Sequence, residues 1–152
     1  MLRDSSYDYW AIHRSGDFFA ASTYSEGHPD KRHLRVDIRI ARTAEAIAHC
    51  ARLYRALGAD SHCVIELAVA YRGLNDRILS APDNLTWDFW DEVKTTEHDV
   101  SASVSFRLSS WESDLISLVK KLCAPLFVLF DFTVVGDARY GRVVSDFLAG
   151  KF

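Results

Sequence analysis

The chain has 152 residues, of which 49% are hydrophobic and 26% charged, so we expect one globular domain over residues 1–152 with a substantial core. Its formal net charge of −3 gives no general reason to expect nucleic acid as the partner. The apolar run at 124–135 is too short for a membrane span and contains Asp131, and the first ten residues lack the apolar core of a signal peptide. The odd count of three cysteines favours reduced thiols in a cytoplasmic protein.

The N-terminal part of the chain predicts a hairpin and a helix. Aromatic and alternating runs within residues 7–25 flank a turn at Gly16, which can take a positive φ. Residues 43–57 carry apolar side chains at helical spacing, and Gly58 follows where a helix C-terminal cap belongs.

Two later segments alternate between apolar and polar residues, which predicts strands over residues 62–73 and 99–109. A short strand over 76–80 is expected to pair with the first of them, and residues 81–95 contain breakers and predict an irregular segment. The residues predicted to face inward are Cys63, Ile65, Leu67, Val69, Tyr71, Val100, Ala102, Val104, Phe106 and Leu108.

The C-terminal part of the chain predicts three helices. Ser109 and Glu112 have the spacing of a capping box, in which each side chain binds a free amide at a helix start. Pro125 can open a further buried helix that reaches Phe132, because proline is tolerated at a first helical position. Asp137 can cap the last helix.

The two halves of the chain resemble each other. Shifting residues 34–56 by 68 positions superposes them on residues 102–124, and Arg39 then falls on Arg107. Two strand–helix repeats would explain this match, and so would two unrelated amphipathic segments. In either case, the order of the elements predicts an α+β fold with a mainly antiparallel sheet and helices packed on one face.

Residues 49–63, HCARLYRALGADSHC, carry two His–Cys pairs, the ligand types that zinc prefers. Zinc ligands must converge on one point. At helical spacing Cys50 falls on the apolar stripe and His49 on the polar side, whereas in the following strand Cys63 points inward and His62 outward. The four side chains therefore diverge. We interpret both cysteines as buried core residues and predict no metal and no cofactor.

Evidence for catalysis is weak in this sequence. It contains no nucleotide-binding, zinc-protease or serine-hydrolase motif. All three cysteines are predicted on apolar faces, where burial raises the pKa of a thiol and makes it a poor nucleophile. The carboxylates beside aromatic residues in SGDFF and DFWDE have no partner at a recognisable spacing. We therefore predict no catalytic residue.

A basic strip is the first candidate binding feature. Residues 34–40, LRVDIRI, alternate strictly, which predicts a half-buried strand with Arg35, Asp37 and Arg39 on its outward face. Arg107 joins them if the two halves align. Three arginines on one sheet face can bind nucleic acid phosphates or another anion. The other interpretation is a solvated face in which Asp37 neutralises its neighbours.

An acidic aromatic segment is the second candidate feature. Residues 87–99 place Trp87, Phe89 and Trp90 among five acids in a stretch with poor helix and strand signals. Exposed aromatic residues in a loop are typical of a protein-binding patch. The alternative is that these three side chains fold back and cover one edge of the core.

A resemblance to a known family rests on four segments: IARTAEAIAHCARLYRALGA, YRGLNDRILSAP, DEVKTTEHDVSASVSFRLSSWESDLISLVKKLCAPLFVLFDF and FLAGKF. Together they resemble the region that follows the N-terminal domain in bacterial Schlafen/AlbA-type DNA-binding proteins. The DNA- or nucleotide-binding residues of those proteins belong to that N-terminal domain, so no functional residue is carried over. The resemblance implies a C-terminal accessory domain for assembly or ligand sensing in a regulatory or defence protein. It also favours Met1 as the start of an excised segment.

The leading hypothesis from the sequence is a non-catalytic interaction, sensing or assembly domain that works through a protein partner or as a homodimer. Two alternatives stay open. One is a nucleic-acid-binding module that uses Arg35, Arg39 and Arg107, and the other is an enzyme with an unrecognised site.

Overall fold

The computed structural model describes residues 8–24, 32–80, 94–131 and 135–151. By its internal contacts the chain divides into two units, residues 1–31 and residues 32–152. One domain over the whole length stays a prediction from the sequence.

The N-terminal unit contains a hairpin of β1 (Asp8–Ile12) and β2 (Phe18–Ser22), which pair antiparallel. Gly16 has a φ of +93° in the connecting turn, and its N–H donates to the carbonyl of His13 at 2.9 Å. Glycine adopts this left-handed conformation without steric cost, so the predicted hairpin and its turn are confirmed.

The second unit contains the remaining helices and strands. They are β3 (His33–Arg35), α1 (Val36–Ala56), β4 (Val64–Arg72), β5 (Ile78–Ser80), β6 (Asp99–Arg107), α2 (Trp111–Val128) and α3 (Asp137–Leu148).

The strands of the second unit form two pairs that continue each other. β4 and β6 are antiparallel, from Val64 opposite Arg107 to Arg72 opposite Asp99. β5 pairs with β3 in parallel and is bridged to Lys94. The predicted pairing of β5 with β4 is therefore wrong. Beyond the end of β4, the N–H of Leu74 donates to the carbonyl of His98 at 2.8 Å. The segment between β4 and β5 therefore stays in contact with the segment that leads into β6.

The position of β6 in this arrangement follows from Ile78. Ile78 lies opposite both His33 of β3 and Lys94, and two strand partners of one residue must lie on its opposite edges. Because the chain continues from Lys94 into β6, the run of β4 and β5 lies between β3 and β6. Among the described strands, β6 is therefore the edge strand on the other side.

The helices cover the inner face of β4 and β6. α2 packs on β6, and α1 packs on both α2 and α3. The outward residues of the two strands are exposed, and the α+β class is confirmed. The largest fully buried side chains are Phe127, Phe130, Leu34, Ile40, Ile47, Leu74, Leu108, Leu115, Leu122, Leu126, Val36 and Val119.

The predicted strand over residues 34–40 is wrong, because α1 begins at Val36 and only residues 33–35 are extended. Val36 and Ile40 are spaced both for an alternating strand and for a helix. They continue into Ala44, Ile47 and Ala51, which are buried at helical spacing along one long stripe. The longer helical pattern decides the conformation. The superposed strands of the two proposed repeats therefore differ, since residues 36–39 are helical where residues 104–107 are in β6.

The predicted break at Pro125 is also wrong, since Pro125 lies inside α2. Proline removes one helical hydrogen bond, but Leu122, Cys123, Leu126 and Phe127 are buried on both sides of it. Their packing keeps the helix continuous.

The capping prediction for α2 also needs correction. The N-terminal cap is Ser110 and carries no side-chain hydrogen bond to the backbone, so the box between Ser109 and Glu112 does not form. The hydroxyl of Ser110 instead donates to Asp114 Oδ2 at 2.8 Å.

Candidate functional site

The predicted basic strip does not form. Arg35 is half-buried at the end of β3, Arg39 lies in α1 with 8% of its surface exposed, and Arg107 is exposed at the end of β6. The prediction that Arg35 and Arg39 share an outward strand face is wrong, because the chain becomes helical between them. The predicted partner-binding residues Trp87, Phe89 and Trp90 lie outside the described residues.

The two cysteines of the HCARLYRALGADSHC segment have different environments. Cys50 is buried in α1, as predicted, but Cys63 is exposed and its predicted burial is wrong. β4 begins one residue later, and Cys63 closes a turn by donating its N–H to the carbonyl of Asp60 at 2.9 Å. Within the described ranges, no three His, Cys, Asp or Glu side chains are grouped so that they could hold a metal ion.

A buried ion pair joins α1 to α3. Arg139 Nε donates to Asp37 Oδ1 at 2.6 Å, and the two side chains are only 6% and 11% exposed. Arg142 Nη2 lies 3.6 Å from the other carboxylate oxygen of Asp37. Within the described part of the chain, Nη1 and Nη2 of Arg139 are buried and have no hydrogen-bond acceptor. The pair connects the first turns of two helices, and its burial indicates a structural role.

Sequence reasoning missed this pair. It placed Asp37 on a solvated strand and gave Arg139 no role. One signal was present, because an acidic residue in the first turn of a helix is favoured by the helix dipole. The partner itself is 102 positions away along the chain and was not predictable from spacing.

A second buried polar group joins α1, β4 and α2. The Thr43 hydroxyl donates to the carbonyl of Arg39 at 2.8 Å and lies 3.0 Å from the Tyr71 hydroxyl. The Cys123 thiol donates to Thr43 Oγ1 at 3.3 Å. Burial raises the pKa of Cys123 to about 11, an effect that its hydrogen bond with Thr43 partly offsets. The thiol is therefore neutral at neutral pH and is not an activated nucleophile.

The neighbouring phenol of Tyr140 is in the same state. Burial raises the pKa of Tyr140, and the nearby Cys123 and Tyr71 raise it further. Lys120 approaches the Tyr140 ring at 6.0 Å and pairs with Asp137, which links α2 to α3. The Cys123 thiol and the Tyr140 phenol stabilise the contact between helices in their neutral forms, and neither is poised near neutral pH for proton transfer.

We expect the free energy of unfolding to fall as the pH rises from 9 to about 11, the interval between the ordinary and the raised pKa of Cys123. In this interval the folded chain holds a thiol proton that the unfolded chain has lost, so the stabilisation present below pH 9 disappears as the pH rises. Urea unfolding across this range measures the slope, and Cys123→Ala should flatten it. The control Cys63→Ala changes an exposed thiol and should keep the slope. An unchanged slope in Cys123→Ala would contradict the assignment.

The outward face of β4 and β6 is the most distinctive exposed feature of the second unit. Apart from the apolar Val64, its residues are small, hydroxylated or charged, and all are exposed, whereas Val104 and Phe106 on the opposite face are buried. The outward residues are Val64, Glu66, Ala68, Ala70, Arg72, Asp99, Ser101, Ser103, Ser105 and Arg107.

The outer edge of β6 presents the backbone groups of these same outward residues. Leu108 donates its N–H to the carbonyl of Cys63 at 3.1 Å, one step beyond the pair Val64–Arg107. Hydrogen-bonded and non-hydrogen-bonded pairs alternate in an antiparallel ladder. The even-numbered residues of β6 therefore bond to β4, and the N–H and C=O groups of Ser101, Ser103 and Ser105 point away from it.

Natural proteins protect edge strands with proline, lysine, bulges or short length. β6 has none of these features. It spans nine residues in unbroken register with β4, and its sequence, DVSASVSFR, contains neither proline nor lysine. Along the described chain, no strand other than β4 pairs with it. A strand of this kind can accept another strand through its backbone.

The chain matches no family model, no curated protein and no solved structure. None of the described helices is long and apolar enough to cross a membrane.

Proposed function

We propose that the chain is a non-catalytic interaction and assembly domain, which takes a strand of a protein partner onto the outer edge of β6. One observation carries the proposal: β6 is a regular strand of nine residues whose outward N–H and C=O groups meet no other described strand. Unpaired backbone groups of this kind are a template for strand addition.

The chemistry of the described residues favours this proposal over the two alternatives. The ionisable groups of the core are held in structural contacts, as in the pair of Asp37 and Arg139. Nucleic acid binding by Arg35, Arg39 and Arg107 required that they share one exposed face. The three side chains lie on different elements, and Arg39 is buried. A cytoplasmic bacterial regulatory or defence protein, the setting implied by the resemblance to Schlafen/AlbA-type proteins, is part of the proposal and rests on the sequence.

Amide hydrogen exchange of the full chain, followed by NMR at the lowest workable concentration, tests whether the β6 edge is open. We expect the amides of Ser101, Ser103 and Ser105 to exchange much faster than those of Ala102 and Val104. The latter two bond to β4, and their exchange requires the ladder to open. The even-numbered amides serve as internal controls within one strand. Strong protection of Ser103 at every concentration would contradict the proposal, because the chain itself would then occupy the edge.

A further inference from the structure

We propose that the partner at the β6 edge is a second copy of this chain, aligned antiparallel about a two-fold axis at Ser103. This rests on the proposed function, because it names the partner of the same edge. The two copies would form a continuous sheet in the order β4, β6, β6 and β4.

The outward residues of β6 form a self-complementary pattern. From one end to the other they are an acid, three serines and a base: Asp99, Ser101, Ser103, Ser105 and Arg107. In the proposed alignment, Asp99 of each copy lies opposite Arg107 of the other, and serines lie opposite serines. Opposite charges and hydroxyl pairs directly across a sheet are favourable. Arg107 forms no ion pair with any described residue, so it is available to a second copy.

The backbone is compatible with the same alignment. A two-fold axis at Ser103 pairs odd-numbered residues with odd-numbered residues, and these are the ones whose N–H and C=O groups point outward. An axis at any other residue of β6 also pairs odd-numbered residues with odd-numbered residues, so the backbone accepts these alignments too. An axis at Ser101, Ala102, Val104 or Ser105 leaves Asp99 and Arg107 unmatched, so the charges at the strand ends select the axis at Ser103.

The inward face continues across the proposed interface. The same alignment places Val100 opposite Phe106 of the second copy and Ala102 opposite Val104, so apolar residues meet apolar residues on the side that the helices cover. A one-residue shift would instead place serines on that side.

The other edge of the pair, on β4, is on the side of the sheet where β3 lies. Laid antiparallel against itself about Val69, β4 would also place Glu66 opposite Arg72, so charge alone does not distinguish the two edges. Topology therefore favours β6.

Charge exchange in the full chain tests the proposal, with sedimentation equilibrium across a concentration series as the readout. Wild type should be a dimer in equilibrium with monomer. Asp99→Arg and Arg107→Asp each place like charges together at both ends of the interface. Each variant alone should raise the dimer dissociation constant about tenfold or more. An equimolar mixture of the two should recover association as a heterodimer, and so should the double variant Asp99→Arg/Arg107→Asp.

A second variant keeps the test decisive if Asp99→Arg fails to fold, since position 99 lies opposite Arg72 within the chain. Asp99→Asn/Arg107→Asp removes the like-charge contact without adding an arginine and should recover part of the association lost in Arg107→Asp. Wild type that stays monomeric, or a folded mixture that does not recover association, would overturn the second copy as partner. If the monomer shows fast amide exchange at Ser103, strand addition by a different protein partner remains the proposed function. Protection of the Ser103 amide at all concentrations would overturn both proposals.

Discussion

Asp37→Ala should lower the free energy of unfolding by about 3–5 kcal/mol, the usual cost of removing one member of a buried ion pair. Asp37 Oδ1 accepts the hydrogen bond of Arg139 Nε at 2.6 Å, and both side chains are almost completely buried. Removing the carboxylate leaves the Arg139 guanidinium buried without an acidic partner among the described residues, and the nearby Arg142 carries the same positive charge. The expected loss of stability measures the penalty of a buried charge without a partner, and not the net contribution of the ion pair to the free energy of unfolding.

The matched control is the double variant Asp37→Leu/Arg139→Met, which replaces both charges by apolar side chains of similar size. We expect it to be near wild type or more stable, because the burial penalty of both charges disappears with the pair. Urea denaturation of the three chains measures the comparison. A loss below about 1 kcal/mol in Asp37→Ala, the range of exposed pairs, would show that the contact between α1 and α3 is open to solvent.

Phe127→Ala should also destabilise the fold by about 3–5 kcal/mol, through lost apolar burial and the cavity left behind. Phe127 is 2% exposed in α2, close to Pro125, where packing keeps the helix continuous. Its neighbour Val128 is 54% exposed and gives the control. Val128→Ala should change the stability by no more than about 0.5 kcal/mol. Equal effects of the two substitutions in chemical denaturation would contradict the orientation of this end of α2.

Much of the fold was predictable from local patterns. The alternation over residues 99–109 predicted β6 and its inward residues, because each position of a strand faces opposite to the next. The stripe over residues 43–57 and Gly58 predicted most of α1 and its end, where Gly58 has a φ of +85°. These features depend on residues that are close in sequence.

The errors arose where two patterns overlapped or where the partner was distant. Residues 34–40 satisfy both an alternating and a helical pattern, and the helical stripe beyond them decides the outcome. Cys63 seemed to belong to the alternation of β4, but a turn ends just before the strand begins. The parallel pairing of β3 with β5 and the pair of Asp37 with Arg139 join distant segments, so no local spacing indicates them.

The candidate interface was visible in the sequence only in part. The letters DVSASVSFR show an acid and a base at opposite ends of an outward row of serines. That row becomes self-complementary only when β6 is known to be an edge and its outward backbone groups are known to be the odd-numbered ones. Both facts depend on the pairing of β6 with β4.

Disulfide cross-linking at Ser103 tests the central claim most directly. In a Cys63→Ser background, the remaining cysteines, Cys50 and Cys123, are buried and should not interfere. A two-fold axis at Ser103 brings the two Cα atoms at this position to about 5.5 Å, within reach of a disulfide. Mild oxidation of Ser103→Cys should therefore yield a covalent dimer, whereas Ser101→Cys alone should not. Equal cross-linking at both positions, or none at Ser103, would contradict the proposed assembly.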